Sequence, residues 1–364
     1  MQITLKENEK LLYSLRTLYE QYGYCSYRMS KFEKYELYAG NKDFLVSDRV
    51  ITFSDTNGDL LALKPDVTLS IVRGVSFHPD WKQKLYYHEN VYRPMGSDGR
   101  FHEMMQCGLE CIGDLDSYDI YEVIRLAEKS LQTVSEESVL SFSHLGILKS
   151  MLHTLPAGEH EQSDVLRLIA ARNEHELTQL FENCDWNISL LNNLKALLAL
   201  NCSLQQLPDE LRRMQIDWID ARVMQELDEL SALASESDSE AQFDLSVIND
   251  IHYYNGIVFQ GFVRGIAEKV LSGGRYDKLL ERMNKKGSAV GFAVYLGLLE
   301  EHLAAAKSYD ADVCLLYDRE TPLTKLRSAI DRIQMEGKSV SAQRDAGDGR
   351  YRQILDVRGG GRHA

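Results

Sequence analysis

Two β-prone regions flank a long stretch, from about residue 140 to 234, that is rich in Leu and Glu and almost free of β-branched runs. A chain patterned this way pairs strands across the helical interruption, so its sheet joins the first and last thirds and the middle loops out. Before the interruption, residues 7–22 repeat apolar positions at helical spacing, with Leu11, Leu12, Leu15 and Leu18 on one stripe. Residues 50–63 hold two β-prone runs around Asn57-Gly58, a hairpin signal, and Pro65-Asp66-Val67-Thr68 offers capping groups for a helix starting there. Strands are expected over 84–93 and 100–112, separated by the turn-forming 94–99, and a helix over 117–134.

Beyond the acidic loop 235–240, strands are expected over 243–248, 256–263 and 269–272. A turn is expected at Gly273-Gly274-Arg275-Tyr276-Asp277, and 289–300 starts extended and ends helical. Residues 311–317, a helix over 324–336 and a strand from 339 form a short βαβ-like tail. The expected division is 1–134 with 241–305 as the main α+β domain, 135–240 as a helical insertion and 306–364 as the tail unit. No internal repeat is visible, and Gly359-Gly360-Gly361 is the only low-complexity run.

With 44% hydrophobic and 26% charged residues, the chain has the composition of a globular protein. No apolar run approaches a membrane span and residues 1–6 lack a signal-peptide pattern, so a cytoplasmic protein is expected. The six cysteines are scattered without a CxxC pair, which argues against a disulfide framework or a zinc site; Cys107 and Cys111 read as core thiols. A net charge of −14 argues against tRNA or DNA as the main partner, because a polyanion is gripped by clustered Lys and Arg.

The segment 100–110 carries the most chemistry. In a strand, Arg100, His102, Met104, Gln106, Gly108 and Glu110 share one face, while Phe101, Met105, Cys107 and Leu109 share the other. Gly108 leaves a gap in the side-chain layer between Gln106 and Glu110, where a small molecule could approach the backbone. A carboxylate and an amide beside such a gap suit an ammonium group, and Arg93 could meet a carboxylate or phosphate. A solvated sheet face accounts for these residues equally well. Tyr253-Tyr254 ahead of a strand suits core packing, and Gly273-Gly274 suits either an ordinary turn or close approach of a ligand.

In combination these signals resemble the histidyl-tRNA synthetase family of class II aminoacyl-tRNA synthetases. Residues 84–93 and 99–113 look like its motif 2, and Tyr253-Tyr254 followed by Val258-Phe259 is similar to its histidine signature. Residues 273–277 look like its glycine turn, 289–293 like its motif 3, and Leu63-Lys64-Pro65-Asp66-Val67-Thr68 like its early Arg-Pro-Glu-Gly-Thr element. The matches run in order over roughly residues 5–303. The resemblance implies an antiparallel class II sheet flanked by helices, with a helical insertion and a short α/β tail. It implies histidine as ligand, held by Asp66, Thr68, Arg93, Gln106, Glu110, Tyr253 and Tyr254, with Arg100, Gly108, Gly273 and Gly274 as further candidate pocket residues. The ammonium would face Glu110 and Gln106, the imidazole Tyr253-Tyr254, and the carboxylate Arg93 or Thr68.

The departures bear on function. Asn249 stands where the family's signature begins with arginine, Leu298 stands where motif 3 ends in arginine, and Met95 replaces a glutamate in a shortened motif 2 loop. A single lost electrostatic donor costs on the order of 2.7–4 kcal/mol of barrier, so losing two fixed cations would abolish adenylate formation. About 60 residues follow motif 3, too few for an anticodon-binding domain of roughly 100 residues. Keeping histidine recognition without ATP and tRNA handling resembles the ATP phosphoribosyltransferase regulatory subunits, where Asp replaces Glu at position 66. That resemblance implies a chain with no catalytic residues, metal or cofactor, partnered by a short-form catalytic subunit and conveying histidine feedback. A homodimer within a hetero-oligomer, a hetero-octamer, would follow. No phosphate-cradling glycine loop is visible, so the catalytic subunit would be a separate chain. The rival expectations are a histidine-sensing paralogue outside biosynthesis and an active histidine-tRNA ligase.

Overall fold

The computed structural model describes residues 7–45, 47, 49–76, 81–95, 99–237, 239–248, 253–299 and 309–358. Two compact units result, Lys10–Leu299 and one containing the described residues 309–358. The larger is α+β. Its strands are β1 (Cys25–Ser26), β2 (Phe32–Lys34), β3 (Thr52–Ser54), β4 (Leu60–Leu63), β5 (Gln83–Met95), β6 (Arg100–Gly113), β7 (Ser138–His144), β8 (Gln242–Phe243), β9 (Ile257–Val263), β10 (Leu271–Arg275) and β11 (Ser288–Tyr295).

The main sheet has the order β1-β5-β6-β11-β10-β9-β7-β8. Its centre is antiparallel: β5 pairs with β6 in unbroken register from Gln83 opposite Ile112 to Met95 opposite Arg100. The other edge of β6 pairs with β11, with Glu110 opposite Gly291 and Gln106 opposite Tyr295. Strands from before and after the helical stretch therefore interleave. β7 joins this sheet through β9, so the helices lie between 145 and 235 and the expected insertion of 135–240 begins inside the sheet. Side-chain caps divide that stretch into short helices: Asn173, Asn187 and Asp220 accept from Glu176, Ser189 and Arg222 backbone N–H groups.

Other departures have local causes. The 50–63 hairpin forms around Gly58 at φ +86°, but β4 pairs with β2 and β3 in a separate three-stranded sheet. Gly273, Gly274 and Arg275 belong to β10 and not to a turn, because they pair with Phe292, Gly291 and Val290 of β11. Of the strand expected at 243–248 only β8 is formed. The helix Ser117–Val134 starts at a capping box in which Asp116 accepts from Asp119 N–H and Asp119 bonds back to Asp116 N–H. It buries Ile120, Val123, Ile124, Ala127 and Leu131.

The smaller unit has three parallel strands, β12 (Ala311–Leu316), β13 (Val340–Gln343) and β14 (Tyr351–Asp356), in the order β13-β12-β14. The helix Leu323–Met335 sets Ala329 and Ile333 against Val313 and Leu315. The third strand was not legible in the βαβ reading.

One buried ion pair fixes the loop that leads into the site. The Lys64 side chain is 0% exposed and donates to Glu89 Oε2 on β5 at 2.9 Å. Lys64 N–H donates to Lys31 O, and Lys64 O accepts from Tyr92 N–H, locking the residues just before Asp66 and Thr68 to β5. Glu89→Ala leaves this cation buried without its partner and is expected to destabilise the chain by about 3 kcal/mol. Urea denaturation of wild type and variant measures it.

Candidate functional site

A cavity of about 350 Å³ lies over β5, β6, β10 and β11. Its walls include Asp66, Thr68, Arg93, Gln106, Glu110, Tyr253 and Tyr254, seven positions separated widely in sequence that the fold brings to one place. The polar face of β6 is not solvated over this region: Gln106 is 4% and Glu110 2% exposed. Cys107 and Cys111, on the opposite face, are buried.

Glu110 lies at the floor. Thr68 Oγ1 donates to its Oε1 at 2.9 Å and the Tyr276 hydroxyl donates to its Oε2 at 2.6 Å. The Tyr253 hydroxyl lies near Thr68. Burial dominates the carboxyl's electrostatics and pushes its pKa up to about 8; the two donors pull down, and neighbouring Asp66 pushes up. Asp66 is also raised, chiefly by burial, against the opposing pull of its bond from Leu69 N–H and the charge of Arg93. Two carboxyls with raised pKa values in one cavity make it the candidate functional site.

The ring of Tyr253 is held by Phe44, Tyr254 and Tyr276, with centroids 5.7, 4.6 and 5.7 Å away. Arg93 lies over the Tyr295 ring, 5.8 Å from its centroid. The cavity thus combines acids, an aromatic wall and cationic groups, a set able to hold an amino acid by both its charges and a flat ring.

The other candidate positions do not line it. Arg100 is exposed at the far end of β6. Beside Gly108 the space is taken by the Tyr87 hydroxyl and Phe292 O, so the gap receives a tyrosine and no ligand. A side chain at Gly273 would meet Phe292 and Phe259, and one at Gly274 would meet the Tyr254 ring. Gly291, opposite Glu110, has no room for a Cβ because the Glu110 carboxylate fills it. Sequence reasoning missed Tyr276, Lys269, Tyr87 and Tyr295 as cavity residues. Tyr276 had a signal, since the Gly-Gly-Arg-Tyr-Asp run ends beside a strand, but only strand pairing aims it at Glu110. Asn249 lies outside the described residues. Leu298 does not line the cavity. Among the described residues no three His, Cys, Asp or Glu groups form a metal site, and no helix is long and apolar enough to cross a membrane.

This strand order, an antiparallel-rich sheet flanked by helices with a cavity over its central strands, is that of the class II synthetase-like fold. Residues 3–299 match the family model described as histidyl-tRNA synthetase, and the chain belongs to that family. One curated relative, the ATP phosphoribosyltransferase regulatory subunit of Bacillus mycoides (strain KBAB4), is 25% identical over 344 residues, 91% of this chain and 81% of the relative. A solved ATP phosphoribosyltransferase regulatory subunit/histidyl-tRNA synthetase from Bacillus halodurans superposes with a TM-score of 0.73 at 24% identity, over 99% of this chain and 97% of that one. A chain of the ATP phosphoribosyl transferase (HisG:HisZ) complex from Thermotoga maritima gives 0.62 at 21% identity, over 80% and 97%. At these identities the two structures establish the fold.

The raised Glu110 pKa has a consequence for stability. Between its ordinary value near 4.5 and about 8, the folded chain holds this proton and the unfolded chain does not. Stability contributed by the protonated group is therefore lost as pH rises through that window. Wild type is expected to weaken between about pH 5 and pH 8, and Glu110→Gln to lose less over the same interval, in urea denaturation at the two pH values.

Proposed function

We propose that this chain is the non-catalytic regulatory subunit of an ATP phosphoribosyltransferase, that it is required by a short-form catalytic subunit, and that histidine bound in the cavity conveys feedback inhibition of histidine biosynthesis. The observation that carries the reading is the convergence of Asp66, Thr68, Arg93, Gln106, Glu110, Tyr253 and Tyr254 on one cavity. Asn249 and Leu298 meanwhile replace the two arginines that the resemblance associates with activation. Relatives named as regulatory subunits, and a chain of like fold in a two-protein complex, support the partner assignment. A cytoplasmic place and a homodimer within a hetero-octamer complete the reading.

In this arrangement Glu110 and Gln106 face the ligand's ammonium, Tyr253 and Tyr254 wall its imidazole, and Arg93 or Thr68 meets its carboxylate. Feedback needs only differential affinity: histidine binding the inhibited assembly more tightly than the active one by roughly 1–3 kcal/mol gives substantial inhibition. No group of this chain makes or breaks a bond.

Mixing the purified chain with a short catalytic phosphoribosyltransferase subunit should give a stable complex whose activity depends on this chain and falls when histidine is added. No complex, or histidine-dependent pyrophosphate exchange by the chain alone, would overturn the reading. For the cavity, Glu110→Ala and Gln106→Ala should each weaken histidine roughly tenfold or more by calorimetry without unfolding the protein. A cation beside Glu110 favours its ionised form, so binding near neutral pH should release protons, visible by repeating the titration in buffers of different ionisation heat.

A further inference from the structure

The cavity carries a second cation that the seven-residue set omits. Lys269 lines it together with Arg93, Ser272 and Tyr295. Strand pairing puts it there: Tyr295 N–H donates to Val270 O at 2.8 Å, which seats residue 269 beside Tyr295. Arg93 reaches the same place from β5 and lies over the Tyr295 ring. Lys269 is exposed as a whole residue while lining the cavity, and its pKa is lowered, first by desolvation and then by the charge of Arg93. Among the described residues neither is ion-paired: the carboxyl that feels Arg93 is Asp66, through space and without a salt bridge. By contrast, the buried Lys64 has Glu89 at 2.9 Å, and Arg275 has Asp277 at 2.8 Å.

Two like charges turned toward one cavity raise the cost of each other's ionisation, and an anion between them removes that cost. The same cavity is lined by the acids Glu110 and Asp66, and Asp66 feels the charge of Arg93, so groups of both signs face it. We propose that Lys269 and Arg93 form an anion subsite that takes the carboxylate or phosphate oxygens of the ligand. The inference rests on the cavity being a ligand site as read above, but it concerns which group of the ligand is recognised and by which residue. A lysine at this place makes a single-point contact without the bidentate geometry that an arginine gives. Such a contact grips a ground-state anion and does little to organise a reacting phosphoryl group.

The test is titration calorimetry on the full chain with L-histidine, with histamine, which lacks the carboxylate, and with inorganic pyrophosphate, in wild type, Lys269→Ala and Lys269→Arg. Lys269→Ala should weaken L-histidine roughly tenfold and change histamine less than about twofold, and Lys269→Arg should restore most of the loss. If pyrophosphate and not L-histidine shows the dependence on Lys269, the subsite stands as a phosphate site and the amino-acid reading of the cavity falls. If wild type binds L-histidine and Lys269→Ala binds it equally well, the subsite falls and the amino-acid reading stands. Equal weakening of L-histidine and histamine, or no measurable binding of either anion by wild type, also overturns the subsite.

Discussion

Strand β6 is hydrogen-bonded along both edges, by β5 on one side and β11 on the other, and its polar face is buried from Met104 to Glu110. Glu110 is placed on that face where water cannot reach it, and three features follow from that placement. Its carboxyl needs donors, which Thr68 and Tyr276 supply. Its neighbour on β11 has to be a glycine, because the carboxylate fills the space of a Cβ at Gly291. Its charge is disfavoured until a cation arrives.

The supporting shell is built from remote pieces. Thr68 opens a short helix whose approach is fixed by the buried Lys64 to Glu89 pair, while Tyr276 comes from the end of β10. The aromatic wall comes from residues 253–254, just before β9. A ligand bridging these pieces would tie together elements from both sides of the helical stretch. Such a bridge is a physical route by which occupancy of the cavity can be felt by a partner elsewhere on the surface, provided the partner favours one arrangement of these pieces.

Charge distribution separates binding from chemistry here. The acids Glu110 and Asp66 and the cations Arg93 and Lys269 line one cavity, with Arg93 over the Tyr295 ring. Such a layout suits a stable zwitterion. Activation of a carboxylate requires further fixed cations around the phosphates, and at the two matching positions this chain has Asn249 and Leu298.

The sequence by itself determined the α+β class, the paired strands around β6 and the helix Ser117–Val134, because period-two and period-3.6 patterns are local properties of the chain. It also determined which residue types could hold an amino acid, through Gln106, Glu110 and Tyr253-Tyr254. Tertiary structure alone decided which of them meet. The hairpin around Gly58 left the main sheet, β7 entered it, and Gly273-Gly274 became strand, since edge pairing depends on partners distant in sequence. It filled the gap at Gly108 with Tyr87, aimed Tyr276 at Glu110 and brought Lys269 to Arg93. A side chain's direction follows from local backbone, but what occupies the space it points into is set by segments folded in from elsewhere.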